Sequence, residues 1–248
     1  LKHDFEAQGT HIVSFANYDY LGLANHPRIR AEAKREVDHL GVGALASRLV
    51  GGERTTHKQF EAEIAKFIGM ESALVLVSGY LSNVTTIAYL MNGKRDAIFI
   101  DELAHNSIVY GADGAPAHVV KFRHNDMDHL DHLLATHREE YRNVMVVVEG
   151  VYSMDGDTAD LPRLYEIKEK YKIWLMVDEA HSLGVLGEHG RGLAEHQGVD
   201  PSNIDIIVGT LSKSLASCGG YICAKKEVIE WFRFTLPGFV YSVGFSPV

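Results

Sequence analysis

Cysteine is scarce in this chain, and its scarcity excludes a scaffold held together by disulfides. Only Cys218 and Cys223 occur among 248 residues, whereas small disulfide-rich domains depend on several paired cysteines. Two isolated thiols are typical of a reducing compartment. The cysteine content therefore predicts a cytoplasmic protein.

Long apolar runs and an excess of positive charge are missing as well. No run of about 18 apolar residues is present, and the first residues, LKHDFEAQGT, lack the apolar core of a signal peptide. The 24 basic side chains are outnumbered by 33 acidic ones, which gives a net charge of −9. Because nucleic acids and anionic membranes attract basic surfaces, we expect neither as a partner, and we expect no membrane span.

Short apolar runs alternate along the chain with segments of helical periodicity. The runs are apolar throughout, as in strands covered on both faces of a sheet, and segments such as THKQFEAEIAKFIG and DLPRLYEIKEKY repeat apolar residues with helical spacing. This alternation predicts an α/β fold with three αβα layers and a mostly parallel, seven-stranded sheet. The seven predicted strands are Ala73–Val77, Ala97–Ile100, His118–Phe122, Val144–Glu149, Ile173–Asp178, Ile204–Thr210 and Tyr221–Ala224.

Polar clusters follow five of these strands directly. They read SGYLSN after the first strand, DELAHNS after the second, EGVYSMDGD after the fourth, DEAHSLG after the fifth and TLSKS after the sixth. In parallel α/β sheets, ligands bind beyond the carboxyl ends of the strands. These clusters are therefore the first candidates for a binding site.

Two polar segments invite interpretations that their context disfavours. DEAH is compatible with the metal-binding strand of a nucleotide hydrolase, but that function requires an upstream phosphate loop, and the single Gly-Lys pair, Gly93-Lys94, is followed by Arg95. HNDMDHLDHL is rich in metal-ligand residue types, yet its spacing fits neither a zinc nor a calcium motif. A helix that begins near Asn125 and Asp126 explains this segment better, and no metal site is expected.

Lys213 is the most informative residue, because it lies among small residues just after a buried strand. Most lysines are exposed loop residues, but the hydroxyls of Thr210 and Ser212 can hold a phosphate while this amine forms a Schiff base with an aldehyde. Asp178 ends the adjoining strand, and a buried carboxylate keeps a pyridine nitrogen protonated. Pyridoxal phosphate requires both groups, so we predict that this cofactor binds here.

Taken together and in order, the motifs resemble those of the α-oxoamine synthases, a group within the fold-type I pyridoxal-phosphate enzymes. The resemblance covers nearly the whole chain and rests on NYDYLGL, GALASRLVGG, SGYLSN, DELAHNS, EGVYSMDGD, DEAHSLG, GTLSKS and YSVGFSP. It implies the large domain of that fold over residues 51–248, preceded by residues 1–50, a segment that contributes to the active site and the dimer. The family's small C-terminal domain has no counterpart in this sequence, so the resemblance implies a piece of a longer protein, with little turnover alone.

The resemblance also implies contacts around the cofactor. His105 is expected to stack on the pyridine ring, Asp178 to pair with the ring nitrogen, and Glu149 to support this layer. His181 and Ser153 are expected near the ring hydroxyl. The residues expected at the phosphate are Gly79, Tyr80, Thr210, Ser212 and Ser242. Ser78 is also expected to bind the cofactor, and Lys213 to bind its aldehyde as a Schiff base.

Substrate contacts and the dimer are implied in the same way. Asn17, Ser47 and Arg48 are expected near the amino-acid carboxylate or the dimer partner. In the family, a Thr-Thr pair from the neighbouring subunit touches the phosphate. Here YSVGFSP offers Ser242 for one hydroxyl, and Val243 cannot supply the other. Because the family builds its active sites across the subunit boundary, a homodimer is implied.

The implied reaction is a decarboxylating condensation of an amino acid with an acyl thioester. The amino acid displaces Lys213 from the cofactor, and the freed amine, whose pKa burial should lower, takes the Cα proton. The carbanion attacks the thioester, His105 donates a hydrogen bond as charge develops, and loss of CO2 leaves an α-amino ketone. The sequence leaves open glycine, alanine or serine as the amino acid, and CoA or a carrier protein as the acyl carrier.

Two alternatives remain open at this point. Another fold-type I reaction, such as transamination, is disfavoured by DELAHNS and EGVYSMDGD, because transaminases usually place an aromatic residue over the ring. A non-catalytic partner subunit of a heteromeric synthase is disfavoured by Lys213, since such subunits typically lose this lysine.

Overall fold

A seven-stranded mixed sheet lies at the centre of the molecule. The structure is a computed structural model that describes residues 4–7, 9–13 and 15–248. The first two strands, β1 (Asp4–Ala7) and β2 (Thr10–Val13), pair with each other in a separate antiparallel sheet. The large sheet contains β3 (Ser72–Leu76), β4 (Ala97–Asp101), β5 (His118–Phe122), β6 (Val144–Glu149), β7 (Trp174–Asp178), β8 (Ile206–Thr210) and β9 (Gly220–Ala224), in the order β3-β9-β8-β7-β6-β4-β5.

The large sheet confirms the predicted fold class. Each of the seven predicted strands is present, with ends that differ from the expected ones by at most two residues. Six strands run in the same direction, and β9 runs antiparallel to its neighbours β3 and β8. Glu149 at the end of β6 pairs in register with Asp178 of β7, which pairs with Val208 of β8. The carboxyl ends of these three strands therefore meet at one edge.

Helices cover both faces of the sheet and complete the three layers. They are α1 (Pro27–Leu40), α2 (Thr55–Ile68), α3 (Gly79–Leu90), α4 (Asn106–Asp113), α5 (Met127–His137), α6 (Leu161–Tyr171), α7 (Leu193–His196), α8 (Lys226–Thr235) and α9 (Pro237–Val240), with short helical turns at Arg48–Gly52, Arg138–Glu140 and Pro201–Asn203. Side chains of α2, α5, α6 and α7 pack on one face, and those of α3, α4, α8 and α9 on the other. In the described part of the chain, no helix has both the length and the apolar character needed to cross a membrane.

The central strands are apolar throughout because both of their faces are covered. In β6, Val144, Val146 and Val148 face one core layer, while Met145 and Val147 face the other. Helix α1 differs, since none of its side chains is buried.

Helix α5 confirms the helical interpretation of HNDMDHLDHL. Asp126 caps the helix by accepting the N–H of His129 at 2.8 Å, and Asn125 precedes it. Leu130 and Leu134 are fully buried in the core. The acidic and imidazole groups of this segment thus begin a helix that packs against the sheet.

An ion cluster covers the free edge of β3, which is the last strand at one end of the sheet. Glu61 accepts the N–H of Val75 at 2.9 Å and bridges Arg48 at 2.5 Å and Arg233 at 2.6 Å. Arg48 also donates to the Val75 carbonyl, and Arg233 to that of Ala73, both at 3.3 Å. The three side chains therefore occupy backbone groups that another strand would otherwise pair with.

Candidate active site

A cavity of about 150 Å³ lies at the carboxyl ends of β6, β7 and β8. The structure brings nine of the predicted site residues to it, namely Gly79, Tyr80, His105, Glu149, Asp178, His181, Thr210, Ser212 and Lys213. Four further lining residues do not follow from the sequence reasoning, namely Asn83, Ser107, Ala180 and Gly209. The polar clusters at the strand ends therefore converge on one cavity.

Lys213 lies in the loop after β8 and is half-buried. Leu211 and Ser214, both buried, anchor the loop on either side of it. Burial lowers the pKa of the Lys213 amine, although the carboxylates of Asp178 and Glu149 oppose this effect. The amine therefore loses its proton more readily than that of an exposed lysine, as a base or nucleophile requires.

A chain of hydrogen bonds connects Asp178 to His105 through two residues of neighbouring helices. Asn83 of α3 donates from Nδ2 to Asp178 Oδ2 at 2.6 Å and to Ser107 Oγ at 2.9 Å. Ser107 Oγ lies 2.7 Å from His105 Nδ1, and the Ser107 N–H donates to the same nitrogen at 3.2 Å. Because Nδ1 is an acceptor, a neutral His105 carries its proton on Nε2. The other oxygen of Asp178 accepts the N–H of Ala180 at 2.9 Å.

Glu149 is buried at the end of β6, beside this chain of hydrogen bonds. Its Oε1 accepts the backbone N–H of His105 at 2.5 Å. Burial, together with the nearby charge of Asp178, raises the pKa of Glu149 to about 8. At pH 7 this carboxyl is mostly neutral, so it holds the His105 loop without adding a second negative charge next to Asp178.

His181 contacts two tyrosines of the NYDYLGL segment. Its Nδ1 lies 2.8 Å from the Tyr20 hydroxyl. Tyr18 packs edge-on against the imidazole, with ring centroids 5.8 Å apart, and lies 5.6 Å from Lys213 Nζ. Burial, followed by the charge of Lys213, lowers the pKa of His181 to about 4, so this imidazole is neutral at physiological pH.

The first turn of α3 offers N–H groups to the cavity. Ser78 is the N-cap of the helix, and its Oγ accepts the N–H of Leu81 at 3.0 Å. The Ser78 side chain thus caps the helix, and its predicted contact with the cofactor stays a prediction. Gly79 and Tyr80 follow it, and the first N–H groups of a helix have no acceptor within the helix. With the positive end of the helix dipole, they favour an anionic group here.

Two hydroxyls adjoin this helix end. Thr210 Oγ1 and Ser212 Oγ lie 2.8 Å apart. A Cβ at Gly79 would lie only 2.8 Å from Thr210 Cβ, so glycine is what allows the helix to approach the strand end. The resulting set of N–H and O–H donors suits a phosphate.

Six predicted site residues are not among the described residues that line the cavity. Ser153 is exposed in the loop after β6, and Ser242 follows α9. Asn17 accepts the N–H of Asp19 at 3.2 Å, and the Ser47 carbonyl accepts the N–H groups of the last three residues of the Arg48–Gly52 turn. The six are Asn17, Ser47, Arg48, Ser78, Ser153 and Ser242.

Arg48 is occupied by partners within the chain. Its guanidinium contacts Glu61 at 2.5 Å and Glu53 at 2.9 Å, and it lies 5.0 Å from the centre of the Phe239 ring. The side chain is buried. With its donors used in this way, Arg48 covers the sheet edge. Its contact with the amino-acid carboxylate or the dimer partner stays a prediction.

Asn83 and Ser107 are site residues that the sequence reasoning misses. Asn83 is four residues after Gly79 in SGYLSN, a spacing that puts both on one face of a helix. Ser107 follows His105 by two residues in DELAHNS and joins it through its hydroxyl. The helical spacing is the signal that could have pointed to Asn83.

Over nearly its whole length, the chain is similar to known proteins. The model of the family "Aminotransferase class I and II" matches residues 10–248. The chain belongs to this family. An 8-amino-7-oxononanoate synthase from Beijerinckia indica is 45% identical over 240 residues, which are 96% of this chain and 61% of that protein.

Solved structures of serine palmitoyltransferase have the same fold as this chain. The enzyme from Sphingomonas wittichii superposes with a TM-score of 0.94 at 35% identity, over 99% of this chain and 61% of that one. Another serine palmitoyltransferase structure, with pyridoxal phosphate, gives a TM-score of 0.93 at 32% identity, over 99% of this chain and 61% of that one. These relatives confirm the predicted resemblance, and the chain spans less than two thirds of their length.

Proposed function

We propose that this chain binds pyridoxal 5′-phosphate and forms the cofactor-binding part of an α-oxoamine synthase. Such an enzyme condenses an amino acid with an acyl thioester and releases CO2. The observation that carries the proposal is the cavity shared by Lys213 and Asp178, which sets an amine of lowered pKa and a buried carboxylate around one space. The serine palmitoyltransferase relative that contains this cofactor supports the proposal.

The polar groups of the cavity fit this cofactor. The N–H groups of Gly79 and Tyr80 suit its phosphate, Lys213 suits its aldehyde, and a carboxylate such as Asp178 suits its ring nitrogen. Asn83 Oδ1 is buried and has no hydrogen-bond partner within the described residues. A buried polar atom without a partner costs free energy, so the cavity is better satisfied with a polar group bound in it.

Lys213 and Asp178 provide the central acid–base chemistry. When bound, pyridoxal phosphate supplies an electron-withdrawing ring that stabilises negative charge at the substrate Cα. In its neutral form, Lys213 Nζ takes the proton from that carbon. Asp178 is fixed by the N–H donors of Asn83 and Ala180, so its negative charge has a fixed position. From there it would stabilise a protonated ring nitrogen of the bound cofactor.

His105 stabilises the negative charge that develops on the acyl group. Its Nδ1 is occupied by Ser107, which leaves Nε2–H as the available donor. An N–H fixed in a dry site favours an oxygen that gains charge in the transition state. Glu149 holds the backbone of His105 and so fixes where this donor lies.

We further propose a cytoplasmic homodimer in which residues 1–50 contribute to the active site and residues 51–248 form the cofactor-binding domain. Phe15, Leu45 and Val50 are 94%, 89% and 85% exposed, an apolar surface that is typical of an interface. Asn17, Ser47 and Arg48 remain predicted contacts of the amino-acid carboxylate or the dimer partner, and Ser242 remains a predicted contact of the phosphate across the subunit boundary. The proposed substrates are glycine, alanine or serine and an acyl thioester of CoA or a carrier protein. The cytoplasmic location is supported by the unpaired Cys218 and Cys223.

Borohydride reduction tests the proposal at Lys213. The purified protein should be yellow, and reduction should bleach it and leave a pyridoxyl group on the peptide that contains Lys213, as seen by mass spectrometry. In the protein at its full encoded length, Lys213→Ala should remove this adduct and lower CO2 release from amino acid and thioester by about 1,000-fold, since it removes both the anchor and the base.

Lys225→Ala provides the matched control, because Lys225 is an exposed lysine just after β9. It should retain the colour, the adduct and the CO2 release. A colourless protein that takes up no pyridoxal phosphate, or undiminished CO2 release by Lys213→Ala, would refute the proposed function.

A further inference from the structure

Tyr20 reaches His181 from a turn that Asp19 organises. Asp19 Oδ1 accepts the N–H of Leu23 at 2.7 Å, and the Asp19 carbonyl accepts the N–H of Gly22 at 3.0 Å. Gly22 has a φ of +65°, which a glycine adopts without strain. The backbone around Tyr20 is therefore held in one shape, and this shape determines where the Tyr20 ring lies.

The contact between Tyr20 and His181 joins parts of the chain that are 161 residues apart. The hydroxyl lies 2.8 Å from Nδ1, and the ring centroids are 6.2 Å apart. Among the described residues that line the cavity, His181 is present and Tyr20 is absent. The hydrogen bond therefore engages Nδ1 of His181 and leaves Nε2 as the nitrogen available to a group bound in the cavity.

The two partners of this hydrogen bond differ in what they can donate. Burial, with the neighbouring Tyr18, raises the pKa of Tyr20, so the phenol keeps its proton. Burial, with Lys213, lowers the pKa of His181 to about 4, so the imidazole has one unprotonated nitrogen. A phenol O–H is a good donor, and the unprotonated nitrogen of a neutral imidazole is a good acceptor. The favoured arrangement therefore has the lone pair on Nδ1 and the proton on Nε2.

We propose that Tyr20 is a positioning residue that donates its O–H to Nδ1 of His181 and thereby holds this imidazole as the Nε2–H tautomer, a hydrogen-bond donor toward the cavity. A hydrogen bond at one imidazole nitrogen decides which tautomer the other nitrogen presents. An N–H in this place suits an anionic oxygen. The inference rests on the proposed function for the identity of that oxygen, whereas the tautomer is a property of the chain itself.

Nuclear magnetic resonance of ¹⁵N-histidine-labelled protein tests the tautomer. The protein is used at its full encoded length at pH 7, and His181 is assigned by the loss of its signals in His181→Gln. In the wild type we expect a protonated Nε2 and a hydrogen-bonded, unprotonated Nδ1. In Tyr20→Phe, which keeps the ring, Nδ1 should lose its donor, shift toward the resonance of a solvent-exposed imidazole and gain a protonated population. Tyr18→Phe should leave the His181 resonances at their wild-type positions.

Two outcomes overturn this inference. One is a proton on Nδ1 in the wild-type protein, a measurement that requires no variant to fold. The other is a His181 spectrum in Tyr20→Phe that is identical to the wild type. Repeating the measurement after addition of pyridoxal phosphate separates the two proposals, because failure of the cofactor to bind would overturn the proposed function and leave the tautomer result standing.

Discussion

At the scale of single residues, His124 is held by a carboxylate on each side. Its Nδ1 lies 2.9 Å from Asp101 Oδ1, and its Nε2 lies 2.9 Å from Asp157 Oδ2. Burial lowers the pKa of His124, but the hydrogen bonds and charges of Asp101 and Asp157 outweigh it and raise the pKa overall. The doubly protonated imidazolium donates to both carboxylates. It thereby links the loop after β4, which carries His105, to the loop after β6, which follows Glu149.

Replacement of His124 should therefore remove a pH-dependent part of the stability. Because the folded-state pKa lies above the unfolded value of about 6.5, the stabilisation is complete below that pH and is lost as pH rises through the folded-state pKa. At pH 6, His124→Gln should lower the free energy of unfolding by about 2 kcal/mol, as expected for hydrogen bonds between charged groups. In urea unfolding curves, the difference in the free energy of unfolding between His124→Gln and the wild type should become smaller toward pH 9.

The exposed His132 on α5 provides the control for this measurement. His132→Gln should follow the wild-type pH profile. A deficit in His124→Gln that stays constant from pH 6 to pH 9 would show that the charge of the imidazolium is not what stabilises the loops.

Single residues also show which parts of the site can be predicted from the sequence. Asp178 and Lys213 are predictable, because Asp178 ends one buried strand, Lys213 lies three residues after another, and each carries a group that is costly to bury. Asn83 contacts Asp178 across 95 residues, and Tyr20 contacts His181 across 161, so no local spacing reports either contact. The carboxylate partners of Arg48, which are Glu53 and Glu61, are likewise identified only by the fold.

At the scale of secondary-structure elements, the ion cluster on β3 leads to a prediction about the sheet edge. Glu61→Gln removes the charge between Arg48 and Arg233, which leaves Glu53 as the carboxylate beside Arg48 and Glu230, at 3.6 Å, as the one beside Arg233. Breaking a buried ion pair by removing one partner costs about 3–5 kcal/mol, so we expect the free energy of unfolding to fall by about 3 kcal/mol. Chemical denaturation measures this loss, and light scattering should detect association through the uncovered edge.

The control for the edge prediction lies on the same helix. Glu63 of α2 is exposed, so Glu63→Gln should change the free energy of unfolding by less than about 0.5 kcal/mol. Equal stability of the Glu61 and Glu63 variants would mean that the cluster contributes nothing to the edge.

Elements of the central sheet are predictable because burial on both faces leaves an uninterrupted apolar run in each strand. The hairpin of β1 and β2 does not follow from the sequence in this way. Its strands have four residues each, which is too short for a pattern of alternation to stand out. The reversed direction of β9 is also invisible in composition, because a strand that is buried on both faces has the same apolar pattern in either direction.

At the scale of the whole molecule, the exposed apolar surface of the N-terminal segment predicts association. Val42 and Val50 are 75% and 85% exposed. Val50→Asp places a charge on this surface, so sedimentation should show a shift from dimer to monomer at micromolar concentration, because a buried charge without a partner disfavours the interface. Val119→Asp, on the outermost strand β5 at the end of the sheet opposite β3, should keep the wild-type mass. Unchanged mass in Val50→Asp would place the dimer contact elsewhere.

The pairing of β3 with β9 has a consequence for synthesis on the ribosome. Ser72 of β3 pairs with Ala224 of β9. Strand β3 therefore has no strand to pair with until β9 has been translated, about 150 residues later. At usual elongation speeds this delay is roughly 8–30 s. During that interval α2 has already been synthesised, because it precedes β3. Glu61 of α2 is therefore available to cover backbone groups of the nascent strand. Closure of the sheet is therefore a late event of biosynthesis, completed when its last strand leaves the exit tunnel.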